Sequence, residues 1–112
     1  MIRIEIRRNP DKSIAGFTLT GHAEYADPGK DIVCAGVTAV AFGTVNSAEA
    51  LLKVDLKPKT PERGHLEVTI PQVSDIRGSQ DLQLLLESMV HMLKGIESSY
   101  RKYVKLKEII KN

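Results

Sequence analysis

Asp31-Ile32-Val33-Cys34-Ala35-Gly36-Val37-Thr38 opens a stretch, running on to Leu52, whose reading decides the fold. Apolar residues fall on more than one side of a helix here, and Glu49 is the only charge between Ile32 and Leu52. Such a helix must bury one face on a sheet and another on a further element. Asp31 is a good N-cap, which makes Ile32, Val33 and Cys34 the first three helical positions. Asp31, Cys34 and Thr38 then lie at spacing i, i+3, i+7, a polar stripe on an otherwise apolar rod.

Upstream, Ile2, Ile4 and Ile6 alternate with Arg3, Glu5 and Arg7, the pattern of a half-buried strand. Asn9-Pro10-Asp11-Lys12 is turn chemistry, and Gly16 to Thr20 alternates again, so a hairpin is expected. Downstream, Val54 to Lys57 and His65 to Ile70 flank a Pro- and Gly-containing turn and predict a second hairpin. Leu66, Val68 and Ile70 would face inward, and His65, Glu67 and Thr69 outward. A second helix is expected to start near Ser79 and to present Leu82, Leu85, Leu86, Met89, Leu93 and Ile96 on one face. Tyr103 to Lys107 alternates, which favours a short last strand over a helix continuation. The sum is ββαββα plus a short final strand: an α+β fold with a mainly antiparallel sheet, in one domain over residues 1–112.

A chain of 112 residues can bury a core without cross-links, and its single cysteine can form neither an internal disulfide nor a zinc site. His22, His65 and His91 show no ligand spacing, so no metal or other cofactor is expected. One free thiol suits a reducing compartment, and a cytoplasmic location is the expectation. The N-terminal Ile/charge alternation does not read as a secretory signal. Ile32 to Ala48 is uncharged for only seventeen residues and contains Thr38, Thr44, Asn46 and Ser47, so no membrane span is expected. The net charge of +2, with Arg101, Lys102, Lys105 and Lys107 grouped late in the chain, reads as a solvated surface. With no Trp, two Phe and three Tyr there is no stacking platform, and direct nucleic-acid binding is not expected.

Chemistry concentrates between residues 21 and 38. A thiol at a helix N-terminus feels unpaired backbone N–H groups that favour the thiolate. His22, twelve residues before Cys34, would favour it further and carry protons. On residue types alone, the alternative is a small buried core cysteine. Asp31 either orients His22, as a third group does in triads, or simply caps the helix. The Thr38 hydroxyl either supports the site or bonds back to the helix backbone. Gly21 and Gly29 give close substrate approach or turn geometry. His65 and His91 read as surface residues. Backbone N–H groups at the helix start are candidate donors to a tetrahedral oxyanion. Tyr25, Asp27, Pro28 and Gly29, in the loop from His22 to Lys30, have no evident core anchor and read as a flexible gate for substrate.

Gly21-His22-Ala23 followed by Gly29-Lys30-Asp31-Ile32-Val33-Cys34-Ala35 resembles the signature of the ribosomal-processing cysteine proteases, a family of small bacterial proteins. The resemblance spans essentially the full chain. It implies a homodimeric peptidase that removes an N-terminal extension from large-subunit ribosomal protein twenty-seven. By position it implies Cys34 as nucleophile and His22 as base, with Gly21 and Asp31 on further motif positions. Thr38 stands where relatives commonly show Ser, and Gly36 where Ala is common. A ribosome-associated binding module without catalysis would use the basic ends but leaves the thiol and its histidine unexplained. A thiol redox sensor usually needs a resolving thiol, which with one cysteine must come from another molecule. Independently of the resemblance, Val33, Val37, Val40, Ala41, Phe42, Val45, Ala48 and Leu52 wrap past one helix face, which predicts a two-fold contact between copies.

Overall fold

The computed structural model describes residues 1–27 and 29–111. Ile2, Ile4 and Ile6 of β1 (Ile2–Arg8) are buried, whereas Arg3 is exposed and Glu5 and Arg7 are half-buried. That alternation puts one sheet face in the core and leaves the other to solvent. β1 pairs antiparallel with β2 (Ile14–Thr20), and β2 pairs antiparallel with β3 (His65–Thr69). The inward residues Phe17, Leu19, Leu66 and Val68 extend the same apolar layer.

Between β2 and β3 runs α1 (Ile32–Leu52), capped by Asp31 and bounded as the sequence predicts. Val33, Val37, Ala41, Val45 and Ala48 are buried. The small side chains of Ala41 and Ala48 allow close packing, and Thr44, the one buried polar residue described, donates from Oγ1 to the Val40 carbonyl at 2.7 Å. By length and composition α1 alone would pass for a membrane-crossing helix. In this fold its apolar surface is used against the sheet and α2 (Ile76–Ser99), which buries Leu82, Leu86, Met89, Val90 and Leu93.

Three expectations need correction. Residues 54–57 form no strand: Lys53 and Lys57 have positive φ, and the Asp55 carboxylate accepts the Lys57 N–H at 2.8 Å, curling the segment. Leu56 still plugs the core, and only Lys59 bridges to the sheet, exchanging two bonds of 2.8 Å with Glu67. α2 starts at Ile76 rather than near Ser79, because Asp75 takes the Gly78 N–H at 2.8 Å and caps the helix first. The last strand, β4 (Val104–Ile110), is full length and lies parallel to β1, so the order is ββαβαβ and the sheet is mixed, β3-β2-β1-β4. Carrying the chain from one sheet edge to the other through α2 permits that parallel pairing. The class is α+β, with both helices on one face.

The middle of α2 is fastened to β1 and β4 by ion pairs. Arg8 meets Glu87 and Glu108 at 2.6 and 2.8 Å, and Lys94 meets Glu108 at 2.9 Å. The Arg8 guanidinium holds the Glu87 carboxyl below its usual range, and Lys94 and then Arg8 do the same for Glu108.

Candidate active site

Where β2 ends, Gly21 turns the chain off the sheet at φ +90°, its N–H bonded to the Gly64 carbonyl at 2.8 Å. A Cβ at Gly21 would run into the Met1 carbonyl oxygen, so only glycine fits this turn. His22 follows, exposed, with its ring laid against Gly64: a Cβ there would stand 2.6 Å from Nε2. Two glycines therefore shape the seat of the imidazole, one before it and one beneath it. Gly64 was legible in the sequence only as part of a turn; what it seats shows once β3 is placed beside β2.

Cys34 is the third residue of α1 and half-buried. Its N–H and that of Val33 donate to Asp31 Oδ1 at 3.0 and 3.1 Å, and the Ala35 N–H donates to the Asp31 carbonyl at 3.0 Å. The helix-start N–H groups of Val33, Cys34 and Ala35, candidate oxyanion donors, are thus already engaged. The other carboxylate oxygen of Asp31 accepts the N–H of Tyr25 at 3.0 Å. These backbone bonds, Cys34's foremost, hold the Asp31 carboxyl below its usual range. Among the described residues no hydrogen bond joins Asp31 to His22; Asp31 ties the loop bearing His22 to the helix bearing Cys34 through the backbone.

Two clefts meet at this pair. The larger, about 850 Å³, lies between Glu24, Ala26, Gly29 and Lys30 of the loop and Ile32, Ala35 and Ala39 of α1. The smaller, about 350 Å³, has Ile2, Leu19, Val37, Phe42 and Leu66 as apolar lining and Thr60, Glu62 and Gly64 among its other residues. His22, Cys34, Thr38 and Arg63 line both, so the thiol and the imidazole stand at the seam. Thr38 is exposed, one turn beyond Cys34; among the described residues its hydroxyl makes no hydrogen bond, and Thr44 is the threonine that bonds back to the helix.

The loop is better anchored than its composition predicts. Ala23 is buried, and the Tyr25 ring packs on Tyr100 and Tyr103. Those partners lie at the α2–β4 junction, some seventy-five residues away, where no local reading reaches. The only clue was that two of the chain's three tyrosines sit close together. Asp27 accepts the Lys30 N–H at 2.9 Å, Gly29 has φ +85°, and Pro28 lies outside the described residues. His91 is exposed, but His65 is half-buried at the start of β3 and lines the smaller cleft. Arg63, not singled out in the sequence, is the cation shared by both clefts.

A family model described as cysteine protease Prp matches residues 1–105. The ribosomal processing cysteine protease Prp of Bacillus subtilis is 42% identical over 102 residues, covering 90% of this chain and 91% of that protein. Its counterpart from Staphylococcus aureus is 30% identical over 112 residues, covering 95% and 97%. The crystal structure of an essential ribosomal processing protease Prp from S. aureus, with a covalently linked product peptide, superimposes with TM-score 0.83 at 29% identity, over 97% of this chain and all of that one. A second S. aureus structure, with a substrate peptide, gives 0.76 at 29% identity over the same shares. The chain belongs to the cysteine protease Prp family and is a cysteine-type peptidase.

Proposed function

We propose that this peptidase removes the N-terminal extension of large-subunit ribosomal protein twenty-seven, with Cys34 as nucleophile and His22 as its base. The observation that carries the assignment is the seam: the only thiol of the chain and His22 line the same two clefts. An extended peptide laid across both clefts brings one carbonyl to that seam. His22 takes the proton from the Cys34 thiol, and the thiolate attacks the carbonyl carbon. The tetrahedral intermediate collapses as His22 gives its proton to the leaving amine nitrogen, leaving a thioester on Cys34. Water, deprotonated by the now neutral imidazole, hydrolyses the thioester, releases the extension as a carboxylic acid and restores the thiol. The relatives' name, ribosomal processing cysteine protease, and the S. aureus structures with a product or substrate peptide support a ribosomal protein as substrate class. A cytoplasmic setting, where the thiol stays reduced, fits the same reading. Intact-mass measurement on the host's ribosomal protein with and without its extension tests it: one cut in the extended form and none in the other is expected. A precursor left whole by active enzyme would remove this substrate.

The working form we propose is a homodimer. α2 covers part of the surplus apolar surface of α1, with Val40, Phe42 and Leu52 packed against the core. Ile32 and Leu51 of α1 and Leu84 and Met92 of α2 remain exposed, which supports a further contact. Light scattering at micromolar concentration is expected to give twice the 12.4 kDa chain mass. A monomer at that concentration would remove the two-fold interface.

A further inference from the structure

All three tyrosines of the chain meet at one place. The Tyr25 ring stands edge-on to Tyr100, centroids 5.7 Å apart at 88°, and to Tyr103, 5.1 Å apart at 78°. Both are favourable edge-to-face geometries. Tyr100 caps the end of α2 and Tyr103 immediately precedes β4, so the cluster ties the loop between β2 and α1 to the last turn of the chain's second helix. The same residue is held from the other side, its backbone N–H bonded to Asp31 at 3.0 Å. Tyr25 is three residues beyond His22 and next to Ala26, which lines the larger cleft with Gly29 and Lys30.

We infer that Tyr25 is a positioning residue: its ring latches the loop to the α2–β4 junction and thereby sets where His22 stands relative to Cys34. The inference rests on the reading of His22 and Cys34 as the acting pair. The ring rather than the hydroxyl carries the latch, since among the described residues the Tyr25 hydroxyl makes no hydrogen bond. Released from the aromatic pair, the loop would keep its backbone bond to Asp31 and its buried Ala23 but lose the ring contacts that tie it to the α2–β4 junction.

Limited trypsin digestion reads the latch without using the peptidase activity, because Lys30 is an exposed tryptic site in the loop. Tyr25→Ala is expected to speed cleavage after Lys30 about tenfold, the scale of losing two edge-to-face contacts. Tyr25→Phe is expected to match wild type. Tyr103→Leu removes one of the two ring contacts and should accelerate cleavage by about threefold, and adding it to Tyr25→Ala should change little, because the contact it removes is already gone. In turnover of the extended precursor, Tyr25→Ala is expected to lower kcat/KM by a similar factor, with Tyr25→Phe restoring it. Circular dichroism checks that the variants are folded. If Tyr25→Ala is unfolded, Tyr25→Leu decides: wild-type cleavage at Lys30 overturns the latch, and faster cleavage supports it. Unchanged cleavage in a folded Tyr25→Ala overturns it equally. A wild-type protein that digests slowly at Lys30 yet cuts no precursor would sink the substrate assignment and leave the latch standing.

Discussion

Cys34→Ala is expected to abolish precursor cleavage, a loss of about ten-thousand-fold or more, because every step of the proposed chemistry passes through a bond to sulfur. The fold should survive. Alanine has the highest helix propensity, and Cys34 is only half-buried at the first turn of α1, so removing its sulfur leaves a small gap at a cleft wall instead of a cavity in the core. The helix cap is untouched, since Asp31 binds the backbone N–H of residue 34 and not its side chain. Cys34→Ser separates size from chemistry. It keeps a hydrogen-bonding group of similar shape but replaces a thiol with a hydroxyl, which stays protonated near neutral pH, so it should be nearly as inactive as alanine. Mass spectrometry of the precursor over hours, alongside a thermal melt, makes both measurements on one sample. Wild-type turnover by Cys34→Ala would falsify the assignment of the nucleophile.

That assignment was readable early because both residues lie close in sequence and their elements announce themselves. Ile2, Ile4 and Ile6 alternate cleanly, and Asp31 followed by twenty-one helix-compatible residues fixes α1 at both ends. Val54 and Leu56 carry the same alternation, but Asp55 folds back on Lys57, and Pro58 has no N–H for a ladder, so a strand pattern was spent on one core plug. Asp75 and Ser79 are equally good caps by type; Gly78, a weak helix former, hid that the first turn belongs to α2. The direction of β4 depends on which edge α2 delivers it to, a tertiary matter that no strand pattern encodes. The site divides in the same way. His22, Asp31, Cys34 and Thr38 sit within seventeen residues and were all visible, whereas Gly64, Arg63 and the Tyr100–Tyr103 partner of the loop arrive from distant segments. Asp31 is the instructive case, because its residue type fitted a triad and a cap equally. The distances bear out the cap, with Oδ1 on the N–H groups of Val33 and Cys34, and add a bond from the Tyr25 N–H to Oδ2, a tie between loop and helix that neither reading contained.

His22→Ala is expected to cost about a hundredfold to ten-thousand-fold in turnover, the range for losing a positioned base. The fold should again hold, because the ring is exposed and rests on Gly64 at the surface, outside the packed core. Turnover alone does not say which proton transfer was lost, since His22 is proposed to act twice, once on the thiol and once on the leaving amine. Alkylation of Cys34 by iodoacetamide isolates the first, because its rate follows the thiolate fraction and involves no leaving amine. If the imidazole helps ionise the thiol, alkylation at neutral pH should slow about tenfold in His22→Ala, and the two variants should converge as pH rises and the thiol ionises unaided. An alkylation profile that overlays wild type, with turnover still lost, would strip His22 of the activating role and leave it as the acid for the leaving amine. The helix start and its N–H groups would then have to supply the thiolate unaided, with the Asp31 carboxylate already holding two of those groups and lending its own negative charge to the same turn. That opposing charge is the physical reason to expect the imidazole to be needed.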